Sequence, residues 1–233
     1  MQASLRFCVL LVALLGPLPG FAEPLRATLS DGYRVLSSSE TESFEPALLH
    51  ALGDALGQDV ELDTSPGGAE LRLGAGKAGA IYYRAVPAAL VASEGGLEAW
   101  SDLRNQPFCV AAGSPYARLV AERFAAEPRE YPSAAHALIG IKLGECRAVV
   151  DDHALLADIA ALPEWRRYRH LLPALSDAEQ VRRIGATDTA LQAQIGALMV
   201  RWRDEGRLGE LTQQWIDEVA FQAYVLADTL DCH

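Results

Sequence analysis

Two segments decide the fold: WSDLRNQPFCVAAGSPYARL (residues 100–119) and AAHALIGIKLGECRAVVDDHALL (residues 134–156). The first predicts a strand over Phe108–Ala112, a Gly113-Ser114 turn and a helix over Tyr116–Phe124. After a linker, Ser133 to Leu143 reads as a helix stopped by Gly144. Ala148–Asp151 then reads as a strand and His153–Ala161 as a helix. Strands alternating with helices favour a parallel sheet. Small ligands bind at the carboxyl ends of such strands, where turns offer N–H groups at helix starts. Gly113 and Ser114 form one such turn, and Asp151 and Asp152 place carboxylates at the other strand end. No nucleophile–base pair or metal-ligand cluster accompanies them, so the pattern points to binding rather than catalysis.

Working outward, LRATLS (25–30) alternates as a strand. Pro46 to Leu56 is a predicted helix, with Leu48, Leu49, Leu52 and Leu56 as its apolar stripe and Gly57 as its stop. Val60–Leu62 returns as a strand, Pro66-Gly67-Gly68 as a turn, Glu70–Leu73 as a short strand and Gly74–Gly79 as a Gly-rich loop. Ile81–Ala92 reads as extended and mostly buried, with Pro87 making it an edge or crossover piece. Leu97–Leu103 is a short helix. Trp165–His170 is basic and aromatic but too small for a nucleic-acid patch, and reads as a solvated loop. Leu191, Ile195, Leu198, Met199 and Trp202 recur at helical steps up to Gly206. Leu208, Leu211, Trp215, Ile216 and Val219 begin a second stripe.

The chain has 233 residues and a formal net charge of −11. So acidic a chain is a poor binder of nucleic acid or anionic membranes. Residues 1–22 combine Arg6, the apolar run FCVLLVALL and the small-residue stretch GPLPGFA. They read as a secretory signal cleaved after Ala22, which implies an exported protein. The apolar run is short for a bilayer span, and no later segment is long and apolar enough, so no membrane insertion is expected after cleavage. Beyond the signal stand Cys109, Cys146 and Cys232. In an oxidising compartment the simple pattern is one bridge and one odd thiol. Cys109 lies on the strand before the Gly-Ser turn and Cys146 just precedes the strand ending at Asp151. Those strands are expected to be neighbours, which favours Cys109–Cys146, though spacing alone does not fix the pairing. The spacings fit no zinc pattern.

Three stretches carry a family resemblance: WSDLRNQPFCVAAGS, AAHALIGIKLGECRAVVDD and LQAQIGALMVRWRDEGRLGELTQQW (191–215). Their order and spacing resemble the type 2 periplasmic solute-binding proteins, in the amino-acid-binding branch known as bacterial extracellular solute-binding family 3. The resemblance implies an α/β fold of two lobes. Each lobe is a mostly parallel sheet flanked by helices, and two crossover strands join them. Residues 23–92 would begin lobe one, 93–183 would form lobe two, and 184–233 would return to lobe one. Solute would be captured in the cleft by hinge closure.

Residue by residue, the resemblance gives Asp152, with Asp151 beside it, the role of gripping a ligand's ammonium. The alternative is that Asp152 caps the following helix. It gives Gly113 and Ser114 the role of holding a carboxylate, weakened by Pro115, which has no N–H to donate. The alternative for Ser114 is a plain N-cap. The family's Thr-x-x-Arg clamp is missing, its segment being cut to ELRLGAGKAGAIYYRAV (70–86). Arg84 or Arg72 could substitute, the alternative being that each faces solvent, and Tyr33, Tyr82 and Tyr83 could form an aromatic wall, the alternative being burial in the core. The family's acidic residue on the first helix also lacks a counterpart, Pro46-Ala47 standing near its place. Some relatives carry cysteine at the places of both Cys109 and Cys146. The implied partners are a small-molecule solute and an ABC transporter permease or sensor receptor, with no cofactor, no metal and a monomeric state. Two other functions remain open. One is a degenerate accessory module that has lost solute binding. The other is a dehydratase-like enzyme on the same fold, with His136 or His153 as its acid.

Overall fold

The structure is a computed structural model that describes residues 23–30, 44–63, 68–94 and 96–230. The signal segment 1–22, Tyr33, Pro66, Gly67 and Cys232 lie outside the described residues. In chain order the first elements are β1 (Leu25–Ser30), α1 (Phe44–Leu56), β2 (Val60–Leu62), β3 (Leu71–Gly74), β4 (Ala80–Ala85) and β5 (Pro87–Val91). A 3-10 turn at Trp100–Leu103 leads to β6 (Pro107–Ala111), α2 (Pro115–Phe124), β7 (Glu127–Tyr131), α3 (Ala134–Lys142), β8 (Ala148–Asp152) and α4 (His153–Ala161). Then come β9 (His170–Leu172), β10 (Gln180–Ala186), α5 (Thr189–Asp204) and α6 (Arg207–Leu230).

The strands form two five-stranded sheets, ordered β2-β1-β3-β10-β4 and β7-β6-β8-β5-β9. Within each, three sequential strands run parallel (β2, β1 and β3; β7, β6 and β8). Two strands of opposite direction carry the chain between the lobes: β5 lies antiparallel to β8, and β10 antiparallel to β3 and β4. Pro87 opens β5, which sits inside its sheet with every residue buried. Of the two readings of Pro87, the crossover therefore holds and the edge does not. Proline is tolerated there because it occupies the first strand position.

Burial shows why the two sheets differ. In lobe two, Phe108 and Val110 of β6 face one hydrophobic cluster while Cys109 faces the other. Ala148 and Val150 of β8 likewise oppose Val149. Side chains alternate across a strand, so a sheet covered on both faces needs continuous apolar runs such as AVV and AALV. In lobe one, Leu71 and Leu73 are buried but Arg72 between them is exposed. By register Arg72 sits beside Thr28 and Gly185 on the face opposite the core. Alternation of buried and exposed positions along β3 suits a strand with one buried face.

One apolar cluster runs through both lobes. It joins Leu48 and Leu52 of α1 and Leu71 and Leu73 of β3 to Leu138 of α3 and Leu155 of α4, by way of Trp215, Ile216, Val219 and Ala223 of α6. Helix α6 packs against α1 and α5 of lobe one and against α3 and α4 of lobe two. Gln213 of α6 donates to Asp158 of α4 at 3.0 Å.

The stretch Ala125–Pro132, read as a linker, contains β7, an edge strand parallel to β6. Its residues are mostly exposed and include Pro128, so it lacks the apolar signature of an interior strand. Cys109 and Cys146 form a disulfide that ties β6 to the chain entering β8.

Candidate functional site at the junction of the lobes

Strand β6 ends at Ala111 and turns through Gly113, whose φ of 74° is in the left-handed region that glycine tolerates. Ser114 is the N-cap of α2: its Oγ accepts from the Tyr116 N–H at 3.3 Å. The Ser114 N–H donates to the Ala111 carbonyl at 3.1 Å, and Pro115 has no N–H. The donors that would hold a ligand carboxylate at this helix start are therefore largely committed to the turn itself.

Asp152 ends β8 at the N-cap position of α4, yet its side chain makes no capping bond there. Its carboxylate instead accepts from two phenols. Tyr116 of α2 donates to Oδ1, and Tyr83 of β4 donates to Oδ2 at 3.0 Å. Asp152 is 1% exposed, so these bonds replace lost hydration. The buried Asp151 accepts the Asp152 N–H on its Oδ1 at 2.7 Å. Tyr83 in turn packs against Phe44 (centroids 5.4 Å apart) and meets the edge of Trp215 at 6.4 Å. Ser114, Tyr116, Asp152 and Tyr83 thus form one connected group, with Asp151 beside it, and the Tyr83–Asp152 bond crosses from lobe one to lobe two.

A second polar group lies in the core of lobe one. Glu45 of α1 is 2% exposed and accepts from Arg182 Nη1 at 3.1 Å and from Tyr82 Oη at 3.2 Å. Burial, and next the Glu45 charge, push the Tyr82 phenol well above its ordinary value. Glu45 immediately precedes Pro46, where the sequence reading found no counterpart to the family's acidic residue.

The other sequence candidates stand apart. Arg84 is exposed and paired with Glu179 at 2.8 Å. Arg72 is exposed on the polar face of its sheet. His153 is exposed, its backbone N–H bonded to Val86. Ser133 caps α3, its Oγ accepting the His136 N–H at 3.3 Å, and the His136 ring meets the same hydroxyl through Nδ1 at 3.0 Å. Sequence reasoning missed Tyr116, Glu45 and Arg182. Tyr116 stood in plain view one residue past Ser114-Pro115. Arg182 lay in QVRRIGA, where no apolar alternation marked a buried strand.

The scan against family models gave no match to this chain, and the search of curated proteins gave none. Solved structures do resemble it. An ancestral cationic amino acid solute-binding protein superposes with a TM-score of 0.62 at 17% identity, over 83% of this chain and 95% of that one. An ancestral arginine-binding protein bound to arginine gives 0.59 at 15% identity, over 84% and 99%. An arginine transport system periplasmic binding protein from Legionella pneumophila gives 0.55 at 14%, over 82% and 99%. The chain shares the two-lobed α/β fold of these amino-acid-binding proteins.

Proposed function

We propose that this chain is an exported, non-enzymatic binding protein that captures a small amine-bearing solute at the lobe junction, for an ABC importer or a sensor. The observation that carries the reading is Asp152: a buried carboxylate at a strand end, bonded to a residue of each lobe. A carboxylate so placed suits an ammonium, which can take over the bonds now made by the two phenols. Exchange of the Tyr83 bond for a ligand bond would couple binding to lobe movement.

The ligand class is narrower than the fold suggests. The Ser114 turn has few donors to offer, Arg84 is paired with Glu179, and Arg182 is paired with Glu45. None of these favours a clamp for an α-carboxylate, so simple amines and polyamines fit better than α-amino acids. Calorimetric titration with putrescine, ethanolamine, arginine and glutamate tests this. Binding of the amines, weakened at least about ten-fold by Asp152→Asn, is expected. Heat from glutamate alone would overturn it.

A second reading is favoured by one observation: α6 and the shared apolar cluster tie the lobes together, as suits an accessory module that keeps the scaffold without solute. Absence of stabilisation by every solute tried, with unchanged small-angle scattering, would select that reading.

A further inference from the structure

The segment Trp165–His170 has no part in the junction site. Asp152 is in register with Pro87 at one end of β5, whereas His170 is in register with Val91 at the other. The segment therefore belongs to the pole of lobe two that faces away from Asp152. A groove of about 570 Å³ opens there, lined by Lys142, Pro163, Glu164, Arg166, Arg167 and Tyr168. That volume falls within the range of small-molecule sites.

The sequence reads this segment as a solvated loop, but the structure holds its main chain firmly. Trp165 is 1% exposed and anchors the turn in the core. The Ser93 N–H donates to the Arg167 carbonyl at 2.8 Å, and Ser93 Oγ accepts the Arg169 N–H at 3.0 Å. Tyr168 Oη donates to the Ile141 carbonyl at 3.3 Å. Lys142 Nζ is held 4.0 Å from the centroid of the Trp165 ring, a cation–π contact that fixes its place at the groove wall.

Some exposed arginines meet acids, as Arg26 does Glu70, Arg84 Glu179, Arg123 Asp177 and Arg207 Glu210, while others, Arg72 and Arg104 among them, form no ion pair among the described residues. Arg166 and Arg167 form no ion pair within 4.0 Å among the described residues, although Glu164 lines the same groove and the chain carries 31 acids against 20 Lys and Arg. Two exposed guanidinium groups on a braced backbone, with Lys142 at the wall, line one groove, and a phosphate takes paired N–H bonds from arginine. We propose that this groove is a second binding site, for a phosphate-bearing anion.

The full chain, titrated calorimetrically with inorganic pyrophosphate at low salt, tests the proposal. Saturable binding is expected, weakened at least about ten-fold by Arg166→Gln with Arg167→Gln, two exposed changes that leave the melting temperature in place. Asp152→Asn is expected to bind pyrophosphate as the wild type does, which separates this outcome from that of the solute reading. A second arm compares phosphatidylcholine vesicles with and without phosphatidylglycerol. Sedimentation only with phosphatidylglycerol, relieved by pyrophosphate, identifies a lipid phosphate as the source. Pyrophosphate binding without vesicle binding identifies a free one. No saturable binding in either arm, or equal binding by the double variant, overturns the proposal.

Discussion

Removing Glu45 would leave the Arg182 guanidinium buried without its carboxylate. Breaking a buried ion pair by removing one partner costs about 3–5 kcal/mol, so Glu45→Ala is expected to lower the unfolding free energy by that much, read from the shift in denaturant midpoint. Replacing both partners, as in Glu45→Leu with Arg182→Met, is expected to cost much less, since the desolvated charge goes as well. Chemical denaturation of the three proteins checks the order. Tyr82 gives a pH-dependent companion. Its folded pKa is raised above the ordinary 10.0, so folding favours the neutral phenol. The stabilisation is complete below pH 10 and is lost as pH rises beyond it, because the unfolded chain then releases a proton that the folded one keeps. Tyr82→Phe is expected to flatten the fall in stability above pH 10, measured by denaturation at successive pH values. Only part of this residue scale was legible in advance. Asp152 and Ser114 stood out because strand-end carboxylates and helix-start hydroxyls carry local signatures. Tyr116, Glu45 and Arg182 did not, since their partners lie far along the chain or across the lobes.

At the scale of elements, α3 and β6 approach closely at Gly140. A Cβ added there would lie 2.6 Å from the Tyr131 ring and 2.7 Å from Cys109 Sγ. The disulfide cannot give way, so Gly140→Ala is expected to cost about 1–3 kcal/mol by overpacking, despite alanine's better helix propensity. Gly196 in α5 has open space around its Cβ position, and Gly196→Ala is expected to stabilise by up to about 1 kcal/mol. Thermal melts of the two variants should move in opposite directions. The disulfide closes a loop with a sequence separation of 37 residues. Cys109→Ser with Cys146→Ser is expected to cost about 3–4 kcal/mol, read from denaturant midpoints. Helices and interior strands were readable because their periodicity is strong: α4 matches its expected span, and β6 and β8 lie within a residue or two of theirs. The unread elements share a cause. β7 and β9 are edge strands, and the polar face of lobe one gives β10 a mixed pattern, so none of the three presents a continuous apolar run.

The whole molecule joins two sheets of different character. Lobe two is covered on both faces and carries the Asp152 end of the junction. Lobe one alternates buried and exposed positions along β3 and brings Tyr83 to the same point. Its core is continuous with that of lobe two through α6, so any hinge motion must pivot about that helix rather than separate the lobes there. The overall architecture was legible from the order of strands, turns and helices between Trp100 and Asp152, together with the paired final helices. The bridging role of α6 was not, because its apolar stripe shows that a face is buried but not which two lobes bury it. The most direct test of solute capture at Asp152 is calorimetric titration of the full chain with putrescine, run beside Asp152→Asn. Saturable binding by the wild type that the variant loses, with both proteins melting cooperatively, is the expected result. Equal heats from the two proteins, or none from a folded wild type with any amine, would contradict it.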